Sequence, residues 1–148
     1  MSAVSVEILK KIYNNGVSSQ SSVTALENFR MEIKGGEFTC IVGPSGCGKT
    51  TLLNLIGGLD KNFEGVISVN GVSPQRSSAV GYMFQSPRLM PWLNVGQNVG
   101  LVVDKEPNKD KKIKELLSEM ELDKFIHAYP KSLSGGMRRR AALARAFI

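Results

Sequence analysis

The sequence predicts an α/β domain on three observations: alternating strand patterns come first, an apolar strand then runs straight into a glycine-rich loop and helix, and helical periodicity fills the second half. From Val4 to Leu9, Val4, Val6 and Ile8 fall on one side and Ser5 and Glu7 on the other. The same period of two returns at Phe29, Met31 and Ile33, so both segments read as half-buried strands. Between them, Asn14 to Thr24 is rich in Asn, Gly and Ser, which predicts a surface loop. Gly35 and Gly36 turn the chain into Glu37 to Val42, a short apolar strand, and Thr50 to Ile56 reads as a helix closed by Gly57 and Gly58.

Val66 to Val69 is a further strand, followed by the Asn70-Gly71 pair that favours a tight hairpin turn. Ala79 to Phe84 has strand character and ends at Gln85. Two prolines, a tryptophan and two asparagines between Ser86 and Asn98 predict an irregular loop with a surface role. Ile113, Leu116, Leu117 and Met120 recur at helical spacing behind the polar run Asn108 to Lys112, giving an amphipathic helix. A last helix begins near Ser134 and is still running at Ile148. No internal repeat or low-complexity tract interrupts this order.

At 148 residues, 42% hydrophobic and 22% charged, the chain has the size and composition of one globular domain. No run approaches the roughly 20 apolar residues of a membrane span, and Met1 to Lys10 lacks the features of a signal peptide, so a cytoplasmic chain is expected. Cys40 and Cys47 are too few and too close for a disulfide framework and fit a reducing compartment. The net charge of +6 raises the question of nucleic acid. Arg138, Arg139, Arg140 and Arg145 share one predicted helix with no interleaved aromatic residues, which reads as a solvated face; no nucleic-acid partner is expected.

Gly43, Pro44, Ser45, Gly46, Cys47, Gly48, Lys49 and Thr50 match the pattern G-x-x-x-x-G-K-[ST], set between an apolar strand and a helix as its chemistry requires. Glycines let the backbone curl so that successive N–H groups point inward, the helix start adds positive potential, and the lysine reaches the outer phosphates of a nucleotide. The threonine hydroxyl suits magnesium. With no histidine near it in sequence, Cys47 reads as a tolerated loop residue rather than a nucleophile. Leu133, Ser134, Gly135, Gly136 and Met137 open the final helix with a serine and two glycines, which taken alone is an ordinary cap and beside the phosphate loop becomes a second candidate anion site.

On these motifs the sequence resembles the ATP-binding subunits of ABC transporters along nearly its whole length. Gly43 to Thr50 is similar to their Walker A motif, Gln85 to the Q-loop glutamine, and Leu133 to Met137 to the LSGGQ signature with methionine in last place. The stretch Met83 to Val99, with Phe84, Gln85, Arg88, Leu89, Met90, Pro91, Trp92, Leu93, Asn94 and Val95, resembles the branch of bacterial importers for nitrate, sulfonates, taurine and related solutes. The resemblance implies a P-loop NTPase core with an N-terminal antiparallel β part and a small helical subdomain at roughly 87–135. It also implies ATP and Mg2+ as ligands. Lys49 and Gln85 would take the catalytic roles, and Thr50 and Gln85 would contact the metal. Tyr13 would stack on adenine, though a half-exposed tyrosine at a strand end is the plainer alternative. The loop from Gly43 to Thr50, with Thr51 behind it, would hold the phosphates. Ser134, Gly135 and Gly136 would meet the γ-phosphate on a second ATP-binding subunit in a head-to-tail dimer.

Transmembrane permease subunits are the other implied partners, with the chain peripheral on the cytoplasmic face of the membrane and its solute chosen by other subunits. Members of the family continue with an apolar Walker B strand ending in aspartate, a glutamate and later a histidine. None lies within these 148 residues, and His127 precedes the signature, so it reads as a polar residue on a short helix. The expectation is a chain incomplete at its C-terminus, transport-coupled by family but not competent for hydrolysis by itself. Two alternatives stand beside it: a nucleotide-binding fragment without catalysis, and a soluble ABC-type ATPase.

Overall fold

The alternating segments pair into a three-stranded antiparallel sheet. In the computed structural model, which describes residues 2–14, 22–76, 80–103 and 107–148, β1 (Ser2–Asn14) lies between β2 (Ser22–Lys34) and β3 (Glu64–Val69). The chain divides into two units, Met1–Val80 and Gly81–Ile148, and the sheet belongs to the first. Val6 stands opposite Met31 in β2 and Ile67 in β3, and Ile8 opposite Phe29, so the predicted alternation places these side chains on one sheet face. Helix α1 (Lys49–Ile56) covers that face with Leu52 and Leu55, both buried, one helical turn apart. Truncating Leu55 to alanine there would cost about 2 to 5 kcal/mol.

The regular alternation stops partway along β1. Its pairing with β3 is irregular between Ile8 and Lys10, and burial changes phase there: Val6 and Ile8 are buried, Leu9 is exposed, and Lys11 is buried again. Both long strands exceed their predicted bounds, and β2 takes in Ser22 to Thr24 of the predicted loop; residues 15–21 lie outside the described residues. Asn70 and Gly71, both at positive φ, form the tight turn, closed by Val69 and Val72 in reciprocal backbone bonds. Beyond that isolated bridge the chain makes a 3-10 turn at Pro74–Arg76 rather than a second long strand.

Two predicted strands are not found. Glu37 to Val42 has no regular structure and lies outside any ladder, with Phe38 96% and Val42 85% exposed. Val80 to Phe84 likewise belongs to no strand, and Ala79 lies outside the described residues. A strand exists through its neighbour's hydrogen bonds, and among the described residues neither run is part of a strand ladder.

The second unit is helical. It holds α2 (Val95–Gly100), α3 (Lys109–Glu119) and α4 (Gly135–Phe147), with 3-10 turns at Asp123–Phe125 and Pro130–Ser132. Its core joins Val95, Val99, Ile113, Leu117, Ala141 and Ala144, so α3 buries the stripe that its periodicity predicts. Helix α2 corrects the reading of Ser86 to Asn98 as wholly irregular. Asn94 caps it: its Oδ1 accepts from the Gln97 N–H at 2.8 Å while Gln97 Oε1 accepts from the Asn94 N–H at 2.9 Å. Asn98, fully buried, fixes the preceding loop by accepting from the Met90 N–H at 2.7 Å and donating to the carbonyls of Met90, Leu93 and Asn94 at 3.1, 2.9 and 3.0 Å. His127 sits in the turn just after Asp123–Phe125. Among the described residues no helix is long and apolar enough to cross a membrane.

Candidate functional site

The phosphate-binding pattern forms a loop that ends in α1. Gly46 and Gly48 take φ of 83° and 93°, the left-handed region that favours glycine, and this lets the backbone curl between Gly43 and Lys49. Gly48 is also tight against β2: a Cβ there would stand 2.7 Å from the Ala25 carbonyl oxygen and 2.9 Å from Leu26 Cδ2. Gly48 is the N-cap of α1 and has no side chain to cap it, so the first-turn N–H groups point outward at the loop, where the helix dipole adds positive potential. No acidic residue occupies that first turn.

Lys49 folds back across the loop. Its Nζ donates to the carbonyls of Gly43 and Pro44, each at 2.7 Å, and lies 3.5 Å from Cys47 Sγ. The ammonium therefore stands over the curled backbone, where an anion cradled by the N–H groups would meet it. Cys47 is exposed, as its reading as a loop residue expects.

A cleft of about 260 Å³ opens beside the loop, lined by Tyr13 and Val23 to Ala25 from the sheet and by Gly46, Gly48, Lys49, Thr50 and Thr51. Tyr13, 39% exposed, stands at this cleft near the end of β1, so sheet and loop bring the predicted base platform and phosphate site together. Its hydroxyl donates to Asp60 Oδ2 at 3.1 Å and lies 3.5 Å from Thr51 Oγ1. Sequence reasoning missed Lys11 and Asp60. Lys11 shares Tyr13's strand two residues earlier, whereas Asp60 lies 49 positions away from Lys11 and carried no local signal.

The remaining predicted residues belong to the second unit. Gln85 is exposed at a bend before α2. Ser134 is the N-cap of α4: its Oγ accepts from the Met137 N–H at 3.2 Å, and Gly135 and Gly136 are exposed in the first turn. The arginines of α4 are not simply a solvated face. Arg138 donates to the Leu133 carbonyl at 2.6 Å, Arg140 to Met120 O and Glu121 Oε2, both at 2.8 Å, and Arg145 to Pro87 O and Arg88 O, both at 3.0 Å; Arg139 is exposed. Carbonyls left free at turns and loop ends draw the guanidinium donors inward.

The aliphatic sulfonates import ATP-binding protein SsuB of Bacillus subtilis (strain 168) is 41% identical over 148 residues, 99% of this chain and 57% of that protein. A second relative, the aliphatic sulfonates import ATP-binding protein SsuB 2 of Burkholderia cenocepacia (strain HI2424), is 40% identical over 141 residues, 95% of this chain and 50% of that one. The chain thus spans about half the length of these relatives. Among solved structures, the dimeric post-hydrolysis state of the ATP-binding cassette MJ0796 bound to ADP and Pi matches with a TM-score of 0.85 at 33% identity, over 97% of this chain and 68% of that chain. Its fold is the expected P-loop NTPase cassette, with the antiparallel sheet and helical unit in place. The family model described as ABC transporter matches residues 26–148, more than half the sequence, and the chain belongs to the ABC transporter ATP-binding family.

Proposed function

We infer that the chain is the ATP-binding part of a bacterial importer's ATPase subunit, and the observation that carries this is Lys49 folded over a glycine-curled loop at an uncapped helix start, beside a cleft with Tyr13 on its wall. The loop from Gly43 to Thr50, with Thr51, would hold the phosphates of ATP, and Tyr13 would take the base. Thr50, exposed at the loop's end, carries a hydroxyl that fits magnesium, and Gln85 is proposed as a further contact on the family resemblance alone. Magnesium, when bound with ATP, neutralises phosphate charge. Lys49 would stabilise charge on the transferring group and Gln85 would orient water.

Ser134, Gly135 and Gly136 start α4, and the two glycines leave its first two positions bare of side chains, which suits close approach to a phosphate. In a head-to-tail pair that phosphate would belong to the second ATP-binding subunit's nucleotide, and a dimeric solved relative supports such pairing. Relatives named for aliphatic sulfonate import support membrane permease subunits as further partners and a peripheral place on the cytoplasmic face. Hydrolysis coupled to import of a small anionic solute is the corresponding activity.

Hydrogen bonds to charged groups contribute about 1.5 to 3 kcal/mol, so Lys49→Ala should weaken ATP binding roughly tenfold or more. Equal affinity of the two proteins in a calorimetric titration would overturn the assignment.

A further inference from the structure

Tyr13 is held by groups outside the phosphate loop. The Lys11 ammonium lies over its ring, 4.5 Å from the centroid, and covers one face. Its hydroxyl is tied to Asp60 Oδ2 at 3.1 Å, with Thr51 Oγ1 at 3.5 Å. Lys11 is itself immobile: the residue is 2% exposed, and its Nζ lies 2.8 Å from Asp60 Oδ2, 3.0 Å from Asp60 Oδ1 and 2.6 Å from the Asn62 carbonyl. Asp60 also accepts from the Asn62 N–H at 3.0 Å. Ring face, hydroxyl and lysine are thereby fixed to the chain just after α1, across 49 positions of sequence.

A buried ion pair is weak evidence for stability, since its desolvation offsets much of its attraction. What this pair does supply is orientation. A tyrosine at a strand end is otherwise free to change rotamer, and a base that stacks on it must then bear the cost of ordering it.

We propose that Lys11 and Asp60 are positioning residues for nucleotide binding: they pin the Tyr13 ring so that the face not covered by the lysine is presented to a purine base at the cleft. This rests on the reading of Tyr13 as the base platform, and the test separates the two. The chain and its variants are titrated with ATP and, as a ligand that has phosphates but no base, inorganic tripolyphosphate. Tyr13→Ala should weaken ATP roughly 5- to 150-fold, the range for a lost base–aromatic stack, and leave tripolyphosphate unchanged. ATP affinity unaltered by Tyr13→Ala would overturn the platform reading, and the positioning role with it.

Removing one member of a buried pair can unfold a protein, so the principal variant is the double change Lys11→Met with Asp60→Asn, which leaves no orphaned charge. It should lose about three- to tenfold in ATP affinity, keep its tripolyphosphate affinity, and add no further loss in the Tyr13→Ala background. Lys11→Arg, which retains a cation able to stack and pair, should keep most of the affinity. Two results would overturn the positioning role alone: undiminished ATP binding by the double variant while Tyr13→Ala is weakened, or an equal loss for tripolyphosphate, which would make the pair merely structural.

Discussion

Arg145, near the end of α4, donates from Nη2 to the carbonyl oxygen of Pro87 at 3.0 Å, and from Nη1 to that of Arg88 at the same distance. The last turn of the helix that begins with Ser134 thus clamps the segment just after Gln85. The segment needs the support, because Arg88 adopts φ 44°, a conformation that costs a non-glycine residue roughly 1 to 3 kcal/mol. The Arg88 guanidinium rests on the Phe84 ring, 4.1 Å from its centroid, closing the bend from the other side. Arg145→Met should lower stability by about 1 to 3 kcal/mol in urea unfolding. Lysine should not restore it, since it lacks the planar fork that reaches both carbonyls. An unchanged urea midpoint in Arg145→Met would mean that the clamp has no mechanical role.

The two left-handed glycines of the phosphate loop make different demands. Gly46 has open space where a Cβ would sit, whereas Gly48 has the Ala25 carbonyl oxygen at 2.7 Å and Leu26 Cδ2 at 2.9 Å. Gly46→Ala should therefore cost only the strain of its backbone, about 1 to 2 kcal/mol. Gly48→Ala adds a clash with β2 backbone that has nowhere to move. It should be the less stable of the two in urea unfolding and the weaker in ATP binding, and equal midpoints would show that the loop relaxes freely.

Cys47 offers a chemical probe of the same loop, being exposed with its sulfur 3.5 Å from Lys49 Nζ. Cys40 is exposed too, so the experiment belongs in a Cys40→Ser background. Maleimide labelling of Cys47 should slow about tenfold or more when ATP and magnesium are saturating, because the bound population is shielded. Labelling indifferent to nucleotide would place the binding site elsewhere.

Legibility followed sequence distance. The curl of the loop from Gly43 to Thr50 was legible because its eight residues are contiguous and its glycines have a backbone reason in the positive φ of Gly46 and Gly48. Helix α2 was hidden because asparagine serves loops and N-caps alike; the signal was present as Asn94 followed three residues later by Gln97. Glu37 to Val42 has strand composition but no ladder, since composition does not reveal a partner. Lys11 was least legible of all. Its burial depends on the irregularity between Ile8 and Lys10 that changes the phase of β1, and its partner Asp60 comes from beyond α1.

That partner also gives the first unit a signature in acid. Burial works to raise the Asp60 carboxyl, but bonds from the Lys11 ammonium, the Asn62 N–H and the Tyr13 hydroxyl, with the lysine's charge, outweigh it and hold the group below its usual 3.8. A carboxyl with a depressed folded-state value stabilises the fold above its unfolded value, and that contribution fades as pH falls through the folded value. The wild-type chain should therefore hold the full increment from neutral pH down to about 5 and lose it below about 4. Other carboxylates titrate in the same range, so total stability cannot isolate Asp60; comparison with Asp60→Asn can. The variant keeps one oxygen to accept from the Asn62 N–H, puts an NH2 donor where the oxygen facing the Tyr13 hydroxyl stood, and leaves Lys11 buried without a counter-charge, as protonation would. Urea midpoints of the two proteins should differ by a constant amount between about pH 5 and 7 and converge below about 4. Curves that stay parallel down to about pH 3 would show that Asp60 is no better stabilised as a carboxylate in the folded chain than in the unfolded one.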